Sequence, residues 1–279
     1  MQQNAIALKV DNMNLADAMG FSAPAAQSQS SLRRITGTVI QEVIDGKIKS
    51  SPVFKVTSEE DTVFARKVEV RLFAERQKWQ RWDSENKTMQ KTVMSTSLNH
   101  DMKDTLGTFN LGRPAGFIKD FAALPKDQQD LFRSVNRVKV LMGKAVLVDA
   151  FYEGGAPADG YDKEFAFITD VKNRDSLKFI DGVVGKLMRK RINPAEHNIS
   201  LSGQTEMLPS GNPYMVINAS LGDFVGLQED DNDTLQDFLD YISSSNEYVK
   251  TKWAENNVET IPDSEKDIVS NIVDVEEFE

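Results

Sequence analysis

The chain has 279 residues, 40% hydrophobic and 27% charged, with 33 lysines and arginines against 43 aspartates and glutamates, a net charge of −10 and no cysteine. That length and apolar content allow one large or two modest folded units and exclude wholesale disorder. The absence of cysteine excludes a disulfide framework, a thiolate metal site and a thiol nucleophile.

The opening MQQNAIALKVDNMN lacks the basic-then-apolar pattern of a secretory signal, and no apolar run approaches the ~18 residues of a membrane span. A soluble cytoplasmic protein is expected. Residues 22–31, SAPAAQSQSS, read as a linker, so residues 1–31 form a flexible arm and the folded body starts at Leu32. ITGTVIQEV and KIKSSPVFKV read as strands joined at Asp45-Gly46, a strong hairpin signal. Pro52 makes the return strand an edge or gives it a bulge. In KVEVRLFAE the alternation sends Val68, Val70, Leu72 and Ala74 one way, and Lys67, Glu69, Arg71, Phe73 and Glu75 the other. Further strands are expected in RVKVLMGKAVLVDA, EFAFITDV, HNISLSG and PYMVINASL.

Three helices interrupt the strands. PKDQQDLFRSV places Pro125 in a first turn. DSLKFIDGVVGKLMRKR carries the stripe Leu177, Ile180, Val184 and Leu187, with Asp175 as N-cap. DNDTLQDFLDYISSSNEYVKTKW repeats Leu235, Phe238, Leu239, Ile242, Val249 and Trp253 at helical spacing. The expected fold is mostly β with a few helices: an OB-type antiparallel barrel with insertions over residues 32–254, a larger sandwich being the other solution. Residues 255–279 read as a disordered acidic tail.

Catalytic motifs are missing. His100 and His197 have no ligand partners at metal spacing, and no phosphate-binding G-x-x-x-x-G-K-[ST], G-x-S-x-G, H-E-x-x-H or G-x-G-x-x-G occurs. EDDNDTLQD lacks the turning glycine and closing glutamate of a calcium loop. The expectation is a non-enzyme with no cofactor and no metal; a metal-dependent nuclease built on carboxylates is the weakest of three readings.

Charge is unevenly placed. From Asp223 to Glu279 there are 17 acidic and 3 basic residues, whereas residues 1–222 carry a net +4. Within the basic body, residues 66–91 hold eight basic and four acidic residues, and Trp79 and Trp82 fall in VRLFAERQKWQRWD. A strand face offering Arg71 and Phe73, running into a loop with Arg76, Lys78, Trp79, Arg81 and Trp82, suits a single-stranded nucleic acid. Aromatic rings stack bases and cations neutralise phosphates; a duplex hides its base faces. Trp79 and Trp82 stay open between stacking platforms and core anchors. TFNLGRPAGFIKDF adds Arg113 and Phe117 on a glycine-rich loop with Gly107, Gly112 and Gly116, and RSVNRVKVLMGK places Arg137 and Lys139 on one strand face opposite Val138 and Val140. The cations Lys186, Arg189, Lys190 and Arg191 end a helix, where they offset its dipole.

The tail, EKDIVSNIVDVEEFE, surrounds Phe278 with Glu276, Glu277 and Glu279. With the basic-aromatic segment it resembles phage replication proteins that bind single-stranded DNA through an OB-fold and carry an acidic C-terminal tail. The resemblance implies sequence-tolerant single-stranded DNA binding in replication or recombination, in a host cytoplasm. It also implies that the tail (Phe278, Glu276, Glu277) docks replication proteins and competes with DNA for the groove. Homo-oligomerisation is left open. The rival expectation is a virion or assembly protein whose basic-aromatic surface makes subunit contacts.

Overall fold

The computed structural model describes residues 32–57, 61–98, 102–107 and 120–260. Among the described residues strand outweighs helix, 47% to 26%, in a curled, half-barrel sheet with few helices, an α+β architecture. The strands are β1 (Arg33–Ile44), β2 (Lys47–Thr57), β3 (Thr62–Ala65), β4 (Lys67–Asp83), β5 (Thr88–Lys91), β6 (Asn136–Val148), β7 (Phe151–Tyr152), β8 (Phe165–Val171), β9 (His197–Met207) and β10 (Pro213–Phe224). The helices are α1 (Lys126–Arg133), α2 (Arg174–Arg189) and α3 (Asp231–Thr260). All expected strands are present; the short β3, β5 and β7 were not foreseen.

One ten-stranded sheet runs in the order β10-β9-β4-β6-β8-β1-β2-β3-β7, with β5 paired to β4. Neighbours are antiparallel except β1 beside β8. The Asp45-Gly46 turn closes the β1–β2 hairpin with both residues at positive φ, 53° and 70°, as a two-residue primed turn requires. Pro52 pairs in register with Val39, and β3 reaches only Phe54–Thr57, so the proline sits where β2 has no second partner strand.

The sheet curls until strands distant in its order meet. A side chain on Gly203 of β9 would come within 2.7 Å of Pro52 in β2 and 2.6 Å of Met215 in β10. Thr205 of β9 donates to the Ser50 carbonyl of β2 at 3.3 Å. The curl encloses the main core, including Phe54, Val56, Val68, Val70, Leu72, Leu141, Phe167, Ile199, Leu201 and Met215. Helix α2 closes it with Leu177, Ile180, Val183 and Leu187. Its N-cap is Asn173, not Asp175: the Asn173 side chain accepts from the Asp175 and Ser176 amides at 2.9 Å, while Asp175 bonds Lys178.

Helix α3 lies on the outer face of the sheet, where Phe238 and Ile242 pack against Val138, Val140, Met142 and Ile168. Of its expected stripe, Phe238, Ile242, Val249 and Trp253 are buried, and Leu239 is 39% exposed. The helix continues through Thr260, past the expected start of the tail. The N-terminal arm (1–31) and residues 261–279 lie outside the described residues.

Candidate nucleic-acid interface

The segment around Trp79 and Trp82 is a strand, not a loop. β4 runs 17 residues, through both tryptophans to Asp83. An irregularity against β6 between Leu72 and Ala74 marks a bulge at Phe73. Gly143 sits opposite, where a Cβ would lie 1.9 Å from the Arg71 carbonyl oxygen. The extra residue reverses the alternation, so Ala74 leaves the main core for the cluster under α3, and Glu75, Gln77, Trp79 and Arg81 take the inner face. Arg76, Lys78, Gln80 and Trp82 take the outer one.

That reversal divides the expected binding set. Arg71 is 1% exposed and is no phosphate contact. Its guanidinium pairs with Asp231 and Glu164 and donates to the carbonyls of Ala195 (2.8 Å) and Gly226 (2.9 Å). Lys144 joins from β6, 2.7 Å from Asp231 and 2.8 Å from Asp230. Burial alone would raise the Asp231 carboxyl, but hydrogen bonds from Lys144, the Gln228 amide and Arg71 outweigh it and hold it below the usual aspartate range. Phe73 is half-buried with its ring edge-on to Phe238 at 6.1 Å, so it is a packing residue and not a stacking platform.

On the inner face, Trp79 is 8% exposed and packs with Met102 and Val135, which resolves its role as a core anchor. Lys139, also buried, lies 2.6 Å from Glu75 and 2.5 Å from Asp181 of α2 and is neutralised within the fold. Arg137 is exposed and donates to the Gln77 side chain at 2.7 and 3.1 Å. Arg81 is half-buried against the Gln90 side chain. An apolar groove of about 330 Å³ between β4 and α2, lined by Leu72, Ala74, Val184 and Met188 among others, carries no cation. Arg113, Phe117, Phe278, Glu276 and Glu277 lie outside the described residues.

The outer face keeps its aromatic-cationic character. Trp82 is 55% exposed and stands opposite Met89 of β5, itself 41% exposed. Two residues inward, Gln80 faces Lys91, whose ammonium lies 5.5 Å from the ring of the exposed Tyr248 on α3. Lys78 follows, paired with Asp170 of β8 at 3.2 Å, and Arg34 of β1 approaches the same carboxylate at 3.5 Å. Arg76 points its guanidinium at the Glu75 carbonyl, 2.8 Å away. From Trp82 to Lys78 the track spans about 13 Å of strand.

Met89, Lys91, Tyr248, Asp170 and Arg34 were not among the expected site residues. One sequence signal for the β5 pairing was present: Asp83 caps the turn, accepting from the amides of Glu85 (3.0 Å) and Asn86 (3.1 Å). Arg34 and Tyr248 reach the track only through the sheet order and the seating of α3. Comparison with known proteins found no match to any protein-family model, any curated protein or any solved structure.

Proposed function

We propose that the protein binds single-stranded DNA without sequence preference and without catalysis, along the outer-face track from Trp82 to Arg34. The observation that carries this is the exposed Trp82–Met89 pair running directly into Lys91, Tyr248 and Lys78. An exposed indole offers a π-face to any base, while neighbouring cations neutralise the backbone. Nothing in such a surface reads base edges, so sequence tolerance follows from the chemistry. A role in phage-like replication or recombination, with replication proteins met through the acidic tail, belongs to the same proposal. So does the OB-type description, which rests on the curled antiparallel sheet alone.

The test is a titration of fluorescent oligo-dT and of a duplex of equal length with the full chain. Single strands are expected to bind tighter, with quenching of tryptophan emission. Equal affinity for both, or no binding at low salt, overturns the proposal.

One observation favours a second reading, a virion or assembly subunit. The β1–β2 hairpin tip exposes the cross-strand pair Val43 and Ile48 at 74% and 76%, and Met207 at the end of β9 is 60% exposed. Apolar hairpin tips of this kind suit subunit contacts. Discrete oligomers in sedimentation, combined with no oligonucleotide affinity, would establish that reading instead.

A further inference from the structure

The buried lysines are not neutralised alike. Lys144 has two carboxylates, Asp230 and Asp231, and Lys139 has two, Glu75 and Asp181. Lys78 has only Asp170, which it shares with Arg34. Lys91 has none: among the described residues its half-buried ammonium makes no hydrogen bond and no ion pair, and lies 5.5 Å from the centre of the Tyr248 ring.

These groups converge from five elements. β5 sets Lys91 opposite Gln80 and therefore diagonal to Lys78 on β4. β8 brings Asp170, β1 brings Arg34, and α3 brings Tyr248. Two cations thus share one carboxylate, with Lys91 near enough to feel its charge, and the second carboxylate oxygen, Oδ1, is buried with no hydrogen-bond partner. Burial pushes Lys91 down, the neighbouring Lys78 and Arg34 push it further, and Asp170 only partly offsets them. Burial pushes Lys78 down as well, with Arg34 and Lys172 adding to it against the pull of Asp170. A half-buried excess of positive charge costs free energy that a bound anion would recover.

We propose that Arg34, Lys78 and Lys91 form a phosphate-group subsite that anchors the backbone of the strand stacked on Trp82. The proposal rests on the single-strand reading and adds where a phosphodiester is gripped. Tetrahedral phosphate oxygens accept from two ammonium groups and a guanidinium at once, which suits donors arriving from separate strands. The anion also favours the charged form of Lys91, so binding takes up protons wherever that lysine is partly neutral.

The experiment measures oligo-dT affinity against salt for the full chain and for Lys91→Met, Arg34→Gln and the remote hairpin control Lys49→Met. Lys91→Met keeps the apolar stem and breaks no ion pair, so its melting temperature is expected to hold. Lys91→Met and Arg34→Gln should each lower the slope of log affinity against log salt by about 0.7, with Lys49→Met unchanged. The loss of affinity at alkaline pH should be shallower in Lys91→Met than in the parent. If the parent binds oligo-dT and both track variants keep its slope, the subsite is overturned while single-strand binding stands. If the parent ignores oligo-dT but binds inorganic pyrophosphate through Lys91, the subsite holds for a free phosphate and the single-strand reading falls. Binding of neither probe overturns both.

Discussion

Two tryptophans three residues apart in one strand have opposite surroundings, and their substitution should separate function from stability. Trp82 is 55% exposed, so Trp82→Ala should leave the melting temperature nearly unchanged and weaken oligo-dT binding by about 1–3 kcal/mol. Trp79 is 8% exposed, and Trp79→Ala should destabilise the fold by about 3–5 kcal/mol, with affinity retained in the folded fraction. Fluorescence titration and thermal melting of the two variants check both outcomes; a reversed pattern would place the binding surface on the inner face. A comparable contrast holds for charge. Asp231 is 4% exposed between Arg71 and Lys144, and Asp231→Ala would leave Arg71 only Glu164 and Lys144 only the exposed Asp230 as carboxylate partners, at a cost of about 3 kcal/mol. Because its pKa is held below the usual range, the contribution of Asp231 is complete above ordinary aspartate values and is lost as pH falls through the lowered pKa. For Lys144, burial pulls downward, but the hydrogen bonds it donates to Asp230 and Asp231 win and raise it, so its contribution is lost only as pH rises through the raised pKa. Urea midpoints should therefore fall less steeply on the acid side in the Asp231 variant than in the parent, with the remaining slope coming from other carboxyls held low, such as Glu42 and Asp230.

At the scale of elements, the bulge in β4 decides which cations can reach a ligand, and Gly143 decides the bulge. Gly143→Ala would drive a methyl group into the Arg71 backbone, which cannot swing aside as a side chain would. The expected loss is about 1–3 kcal/mol or more, with the Arg71–Asp231 contact disturbed as well. By contrast, Gly182→Ala in α2 meets nothing within 4 Å and should stabilise by about 0.5–1 kcal/mol. Urea denaturation of the pair tests the opposite signs. The strands themselves were legible because period-two alternation and an Asp-Gly turn act locally. The reversal of faces after Phe73 was not, because it depends on a glycine some seventy residues away whose proximity exists only once β6 has paired with β4. Arg71 and Lys139 were misplaced for a related reason. A cation on an alternating strand reads as solvent-facing until its partners, Asp231 on α3 and Asp181 on α2, are brought over it. Arg76, Lys78 and Trp82 share a face because β4 continues through a segment that reads from sequence as a loop, so that relation was not legible either.

Across the whole molecule, the acidic C-terminal sequence follows the helix whose Tyr248 borders the basic track, and this order makes competition between that sequence and an acidic polymer testable. Tyr248 borders Lys91, and α3 continues twelve residues further to Thr260, about 18 Å at helical rise. Residues 261–279 follow with seven acids and one lysine. Nineteen residues can extend to roughly 60 Å, well beyond the distance back to Lys91. A tethered polyanion within reach has an effective concentration on the order of millimolar for a short linker, enough to compete for the half-buried Lys91 and the buried Lys78. Removal of residues 261–279 should therefore tighten oligo-dT binding at low salt. The gain should fade as ionic strength rises, because screening weakens the competing segment over a Debye length of about 10 Å at 0.1 M. In Lys91→Met the same truncation should yield a smaller gain, since one cation for which tail and strand compete is gone. Anisotropy titrations of the four proteins at two salt concentrations would measure this coupling. Equal affinity with and without the segment at low salt would show that its charges act elsewhere, leaving contact with a partner protein as the remaining role for the apolar residues around Phe278.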